Sequence, residues 1–173
     1  MKLSIRHGIL DYVTFERLFT EAWDYISAER QRLGADVVKQ SLWDTHENNE
    51  TLIYEENGYI VGAASFSFFN YNGNKYFHYL VPTFGENEEG SRAWFYSDEY
   101  NKSNEKLKSI FNDIEGVLMI GNPNSPAMIA IQNKVNNGTS AYISLETKTV
   151  SEVFGSEIAS SYTDEFRVFI MKV

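Results

Sequence analysis

Two Asn-Gly pairs, Asn57-Gly58 and Asn72-Gly73, constrain this chain more than any other feature. Both residue types tolerate positive φ, which the tight turn of a β-hairpin demands. Each pair is flanked by runs rich in β-branched and aromatic residues. Thr51-Leu52-Ile53-Tyr54 precedes the first, Tyr59 to Phe69 lies between them, and Lys75 to Val81 follows the second. The pattern predicts an antiparallel meander of three strands. Its turns fall at Glu56-Asn57-Gly58 and within Asn70 to Asn74, and Pro82 stops the last strand.

Helical periodicity brackets the meander. Lys2 to His7 alternates as a short first strand, and Asp11 stands where a helix N-cap belongs. Phe15, Leu18, Phe19, Ala22, Trp23 and Ile26 then recur at three and four residues, predicting an amphipathic helix that Gly34 ends or interrupts. Ala35, Val38 and Leu42 predict a second, shorter helix. Beyond a Gly- and Glu-rich loop from Thr83 to Ser91, the stripe Ala93, Tyr96, Tyr100, Leu107, Ile110, Phe111 and Ile114 predicts a long helix with Gly116 as its C-terminal cap. Val117 to Ile120 is wholly apolar, as suits a strand covered on both faces. Ser125 caps a further helix with Pro126 at its first position, running to about Val135. After an Asn137-Gly138 turn, Tyr142 to Thr149 and Glu165 to Met171 read as two strands joined by a polar connection.

The 173 residues suit one domain, 1–173, with one core, and no repeat or linker interrupts them. A 43% hydrophobic and 15% aromatic composition is enough to offset ordering entropy. The absence of cysteine removes disulfides, thiolate metal sites and a cysteine nucleophile. His7, His46 and His78 are scattered without metal-ligand spacing, so no metal is expected. No Walker loop, nucleophile elbow or dinucleotide fingerprint is present. The N-terminus lacks the apolar core and cleavage site of a signal peptide, and no apolar run is long enough for a bilayer. The reading is therefore a cytoplasmic protein that does not engage a membrane. A net charge of −9 repels phosphate backbones, which argues against nucleic acid as a partner. The same charge either attracts cations such as polyamines or basic proteins, or simply keeps the chain soluble.

The order of elements, over roughly residues 2 to 173, resembles the GNAT superfamily of acyl-coenzyme A-dependent N-acyltransferases. Two stretches strengthen the likeness. Leu80-Val81-Pro82 followed by Glu89-Gly90-Ser91-Arg92-Ala93 is similar to the family's fourth strand and pyrophosphate-binding loop. There a helix N-terminus presents unpaired amide donors to phosphate, and Arg92 would add a direct charge contact. Asn122-Pro123-Asn124-Ser125 resembles the segment that contacts the pantetheine arm, and a cap-and-turn role explains the same residues equally. The departures are Glu89 where Arg or Gln is usual, a longer loop before Gly90, and Ile131 or Gln132 in place of the thiol-protonating Tyr. Lys134 matches the Lys that commonly follows that Tyr.

The resemblance implies a mixed α/β (α+β) fold, with a mostly antiparallel central sheet of about six to seven strands and helices on both faces. It implies acetyl-coenzyme A as co-substrate and a small or protein-borne amine as acceptor. Leu80, Val81, Gly90, Ser91, Arg92, Ala93, Asn122 and Asn124 are the candidate cofactor-binding residues. The amide of Leu80 or Val81 would polarise the acyl carbonyl. His78 is the candidate general base, or else a core histidine; Tyr142 is the candidate acid, or else a core aromatic. Two other readings remain. One is a GNAT-fold binding or inhibitory module without catalysis, and the other an acyl transfer from an aminoacyl or longer acyl donor. Oligomeric state is open, a dimer included.

Overall fold

The structure, a computed structural model, describes residues 3–25, 28–85, 106–140 and 142–173. In chain order the elements are β1 (Leu3–Gly8), α1 (Tyr12–Ala22), a 3-10 turn (Trp23–Tyr25), α2 (Ala28–Arg32), α3 (Ala35–Asn48), β2 (Glu50–Glu56), β3 (Tyr59–Tyr71) and β4 (Asn74–Phe84). They continue with β5 (Gly116–Gly121), α4 (Pro126–Asn136), β6 (Ser144–Thr149), α5 (Val150–Phe154), α6 (Ser156–Ala159) and β7 (Arg167–Lys172). The strands form a seven-stranded sheet in the order β1-β2-β3-β4-β5-β7-β6. The pair β4–β5 is parallel, whereas β1–β2, β2–β3, β5–β7 and β6–β7 are antiparallel. Among the described residues no helix is long and apolar enough to cross a membrane, and no group of His, Asp or Glu could hold a metal ion. The chain divides into two compact units, Met1–Ser67 with Leu80–Ser103, and Phe68–Tyr79 with Asn104–Val173.

In the first unit, β1 runs against β2 with Leu3 opposite Glu56 and Gly8 opposite Thr51. The β2–β3 turn forms as its sequence demands, with φ of 52° at Asn57 and 81° at Gly58. Asp11 caps α1 by accepting the Thr14 N–H at 2.8 Å. Phe15, Leu18 and Phe19 then fall on one face of α1 and pack with Val38 and Leu42 of α3, Ile53 of β2 and Ala63 of β3. Phe15 and Leu18 are fully buried. Each such side chain contributes about 1.5–3 kcal/mol by leaving water. Trp43 packs against this core, its ring tilted at 37° with its centroid 5.2 Å from that of Phe15.

The expected helix through Ile26 ends at Ala22 and passes into the 3-10 turn before α2, so the break precedes Gly34. Nor is the second helix the shorter one: α3 has 14 residues and α1 has 11. Its last turn is held by contacts no local periodicity reveals, chiefly the buried His46. Strand β4 also does not stop at Pro82 but runs on to Phe84. A proline forfeits only its own N–H, so a strand passes through it where no ladder bond needs that donor.

The second unit is built around β5. Val117 and Leu118 are fully buried, as the uninterrupted apolar run predicts. Tyr76, Phe77 and His78 of β4 pair with Gly116, Val117 and Leu118, and β7 lies along the other edge with Leu118 opposite Ile170. Tyr76, Leu118, Val150, Val153, Val168 and Ile170 form its core. The expected long helix is helical over 106–110, after which Phe111 to Asp113 turn; Ala93, Tyr96 and Tyr100 lie outside the described residues. Gly116 is consequently not a helix cap but the first residue of β5. A Cβ there would stand 2.1 Å from the Met171 carbonyl oxygen, so the close approach of β7 explains the glycine.

Tyr142 precedes β6, which begins at Ser144, so the strand is shorter than expected. The connection to β7 is not merely polar either, for it contains α5 and α6. Helix α5 starts with a capping box, in which Thr149 Oγ1 accepts the Glu152 N–H while the Glu152 carboxylate accepts the Thr149 N–H. Thr149-x-x-Glu152 beside Val150, Val153 and Phe154 is the sequence signal for it.

Candidate functional site

In the first unit, β3, β4 and α3 bring the polar side chains of Ser65, Thr83 and His46 into the interior. Gly85 N–H donates to the Val61 carbonyl at 3.0 Å. The Val81 N–H donates to Ser65 Oγ at 3.1 Å, and the Ser65 hydroxyl reaches the Val81 carbonyl at 3.3 Å. Thr83 Oγ1 lies 3.2 Å from His46 Nε2. His46 Nδ1 is buried with no hydrogen-bond partner among the described residues. Burial lowers the His46 imidazole to about 4, because an imidazolium there would lose its hydration without gaining a counter-charge. Leu80 and Val81, the candidate carbonyl donors, are both half-buried.

In the second unit, alternation along β4 separates Tyr76 and His78 from Phe77 and Tyr79. The His78 ring stacks on Phe154 at 4.9 Å and 26°, and Phe154 in turn meets Phe69 at 4.7 Å. Phe77 and Phe68 pack instead against Phe111. Desolvation in this aromatic setting lowers His78 to about 4, so the ring is neutral at pH 7. Tyr142 is buried, and burial pushes its phenol well up, so it keeps its proton.

The segment after β5 is held by its own side chains. Asn122 Oδ1 accepts the Asn124 N–H at 2.9 Å, and its amide donates to Glu165 Oε2 at 3.3 Å. Ser125 Oγ caps α4 by accepting the Met128 N–H, and Gln132 donates to the carbonyls of Pro123 and Met128. The turn role of Asn122 is therefore realised, and Gln132, in the region of the missing Tyr, ties α4 to the loop before it. His78, Leu80 and Val81 follow one another along β4, and Asn122 and Asn124 share one turn. Gly90, Ser91, Arg92 and Ala93 lie outside the described residues. Sequence reasoning does not find Ser65, Thr83 or Phe154, and it gives His46 no partner, because each owes its role to a residue distant in the chain.

No family model matches the sequence, and no curated protein does. Solved structures do match in fold. A protein from Pyrococcus horikoshii OT3 superposes with a TM-score of 0.62 at 9% identity over 99% of both chains. A GNAT-family acetyltransferase from Streptococcus agalactiae 2603 superposes with a TM-score of 0.55 at 12% identity, over 99% of this chain and 95% of that one. This is the GNAT acyltransferase fold. The N-acetylglutamate synthase of Neisseria gonorrhoeae, solved with coenzyme A and N-acetyl-glutamate, contains it as well. That match has a TM-score of 0.53 at 11% identity, covering 99% of this chain and 35% of the synthase. The fold is thus shared with these proteins, whereas identities near 10% leave the chemistry to the residues themselves.

Proposed function

We propose that this chain is an N-acyltransferase that moves an acetyl group from acetyl-coenzyme A to a primary amine. The observation that carries this reading is the GNAT fold shared with an acetyltransferase along nearly the whole of both chains. In direct transfer the amine nitrogen bonds the carbonyl carbon as the carbon–sulfur bond breaks. The chain must then supply a donor to the carbonyl oxygen, an acceptor for the amine proton and a proton for the departing sulfur. A backbone amide of Leu80 or Val81 is the donor. His78, neutral at pH 7, is the proton acceptor, and Tyr142, which burial keeps protonated, is the acid. Gly90, Ser91, Arg92 and Ala93 hold the pyrophosphate, and Asn122 and Asn124 border the pantetheine arm. The net charge of −9 suits a cationic acceptor.

A second reading, a GNAT-fold binding module without catalysis, is favoured by one observation. His78 is covered by Phe154 and lowered to about 4, a poor base for an amine. Calorimetric titration with acetyl-coenzyme A and with free coenzyme A separates the two. Micromolar one-to-one binding, followed by thiol release with an amine, supports the transferase. A folded protein that binds neither ligand at millimolar concentration sinks it. Arg92→Ala should weaken coenzyme A binding about tenfold, as loss of a charge-assisted phosphate contact does. Undiminished affinity in that variant would refute the placement of the loop.

A further inference from the structure

We propose that the outer edge of β6 is an interface on which a second copy of this chain docks, strand against antiparallel strand about a two-fold axis at Thr147. The interface is independent of the acyltransferase reading. β6 ends the sheet, with β7 on one side and, among the described residues, no strand on the other. An edge strand leaves a row of N–H and C=O groups without ladder partners, which makes it a template for another strand. The strand is open to solvent: Ser144, Glu146, Thr147 and Thr149 are exposed, and Leu145 and Lys148 are half-buried.

The order of charges selects the occupant. Lys148 Nζ lies 3.2 Å from Glu146 Oε1, two residues away in the strand and on the same face of the sheet. An antiparallel copy centred on Thr147 sets Glu146 opposite the second Lys148, and Lys148 opposite the second Glu146. Association therefore brings two opposite-charge pairs face to face across the seam. Opposite charges in directly facing positions favour a strand pair, and like charges oppose it. A parallel copy in register would set Glu146 against Glu146 and Lys148 against Lys148, so the same two residues reject it. In the antiparallel register Leu145 faces Thr149 and Thr147 faces its own copy, and threonine suits a strand seam. The contact closes at two chains, because the two-fold axis uses the β6 edge of both and leaves none for a third. The other edge of the sheet, β1, carries Arg6 and His7 but no carboxylate. It has no opposite charge to offer a second β1.

The test is sedimentation velocity of the full chain across a wide concentration range, beside Lys148→Glu, Glu146→Lys and the exchange of both residues. The wild type should dimerise. Each single reversal turns both facing pairs into like-charge pairs and should weaken dimerisation about tenfold. The double exchange restores opposite charges in facing positions and should recover the dimer, which also shows that the strand tolerates both substitutions. A wild type that stays monomeric throughout overturns the proposal. So does a dimer indifferent to the single reversals, or one that the double exchange fails to recover while its circular dichroism stays native. The register has its own check. The chain contains no cysteine, so Thr147→Cys introduces one thiol, facing its copy at a Cα separation of about 4.5–5.5 Å, within reach of a disulfide. Mild oxidation should cross-link most of that variant as a dimer. It should cross-link little of Glu146→Cys, whose Cα atoms would lie about 8 Å apart in this register. Equal cross-linking of the two, or none at position 147, overturns the axis at Thr147.

Discussion

His46 should make this protein lose stability between pH 7 and pH 5, and replacing it with glutamine should remove that part of the loss. Its imidazole lies among Phe15 and Thr83, 4% exposed, with Nδ1 unpartnered among the described residues. In the unfolded chain it takes up a proton near 6.5, whereas in the native state burial lowers it to about 4. Between these values the unfolded state binds more protons, so acid favours unfolding. The contribution is complete above about pH 6.5 and is lost progressively as pH falls toward 4. At about 1.4 kcal/mol per unit, the roughly 1.5 units from 6.5 down to pH 5 amount to about 2 kcal/mol. His78, lowered to the same range, adds a similar share with the same sign. The assay is urea unfolding of wild type and His46→Gln at pH 7.5 and pH 5. Glutamine can still bond Thr83 but cannot titrate, so its loss over that interval should be about 2 kcal/mol smaller. Equal losses in the two proteins would refute the claim that the buried imidazole is the acid-labile element.

Gly116→Ala should destabilise the second unit by about 3 kcal/mol or prevent its folding, since the added carbon would meet the Met171 carbonyl and Lys172 Cα, backbone that cannot swing aside; thermal unfolding checks this. Gly121→Ala, whose nearest neighbours are the flexible Met128 side-chain atoms, should cost under 1 kcal/mol in the same assay. Asp11→Ala removes the Thr14 cap and should cost about 1 kcal/mol, read by urea unfolding, with Asp11→Asn recovering most of it. Thr149→Ala breaks the reciprocal cap of α5 and should cost a similar amount, with faster hydrogen exchange at Val150 to Val153.

Short-range chemistry was legible where a few adjacent residues decide the backbone. Asn57-Gly58 and Asn72-Gly73 take the positive φ expected of them. Asp11 and Ser125 cap the helices they precede, and the apolar run from Val117 becomes a buried strand. Where the structure departs from local pattern, the cause is a distant partner. Nothing near Gly116 in the chain announces that β7 presses against it, and a glycine after a helical stripe has the local signature of a cap. Nothing near Pro82 says that the donor it lacks is not needed there. Tyr142 is of a residue type that suits a strand, while the pairing that defines β6 begins at Ser144.

The candidate site divides along the same line. The sequence alone determined the meander, its turns and the stretch Leu80-Val81-Pro82 that carries the resemblance to a GNAT acyltransferase, because turn geometry and alternation are properties of neighbouring residues. Tertiary structure alone decided that His46 meets Thr83, that His78 lies under Phe154 and that Ser65 holds the Val81 amide. Those partners are 37, 76 and 16 residues apart in the chain. Proton affinities and donor availability depend on which distant side chains exclude water or supply a hydrogen bond, and only the packed strands and helices set that.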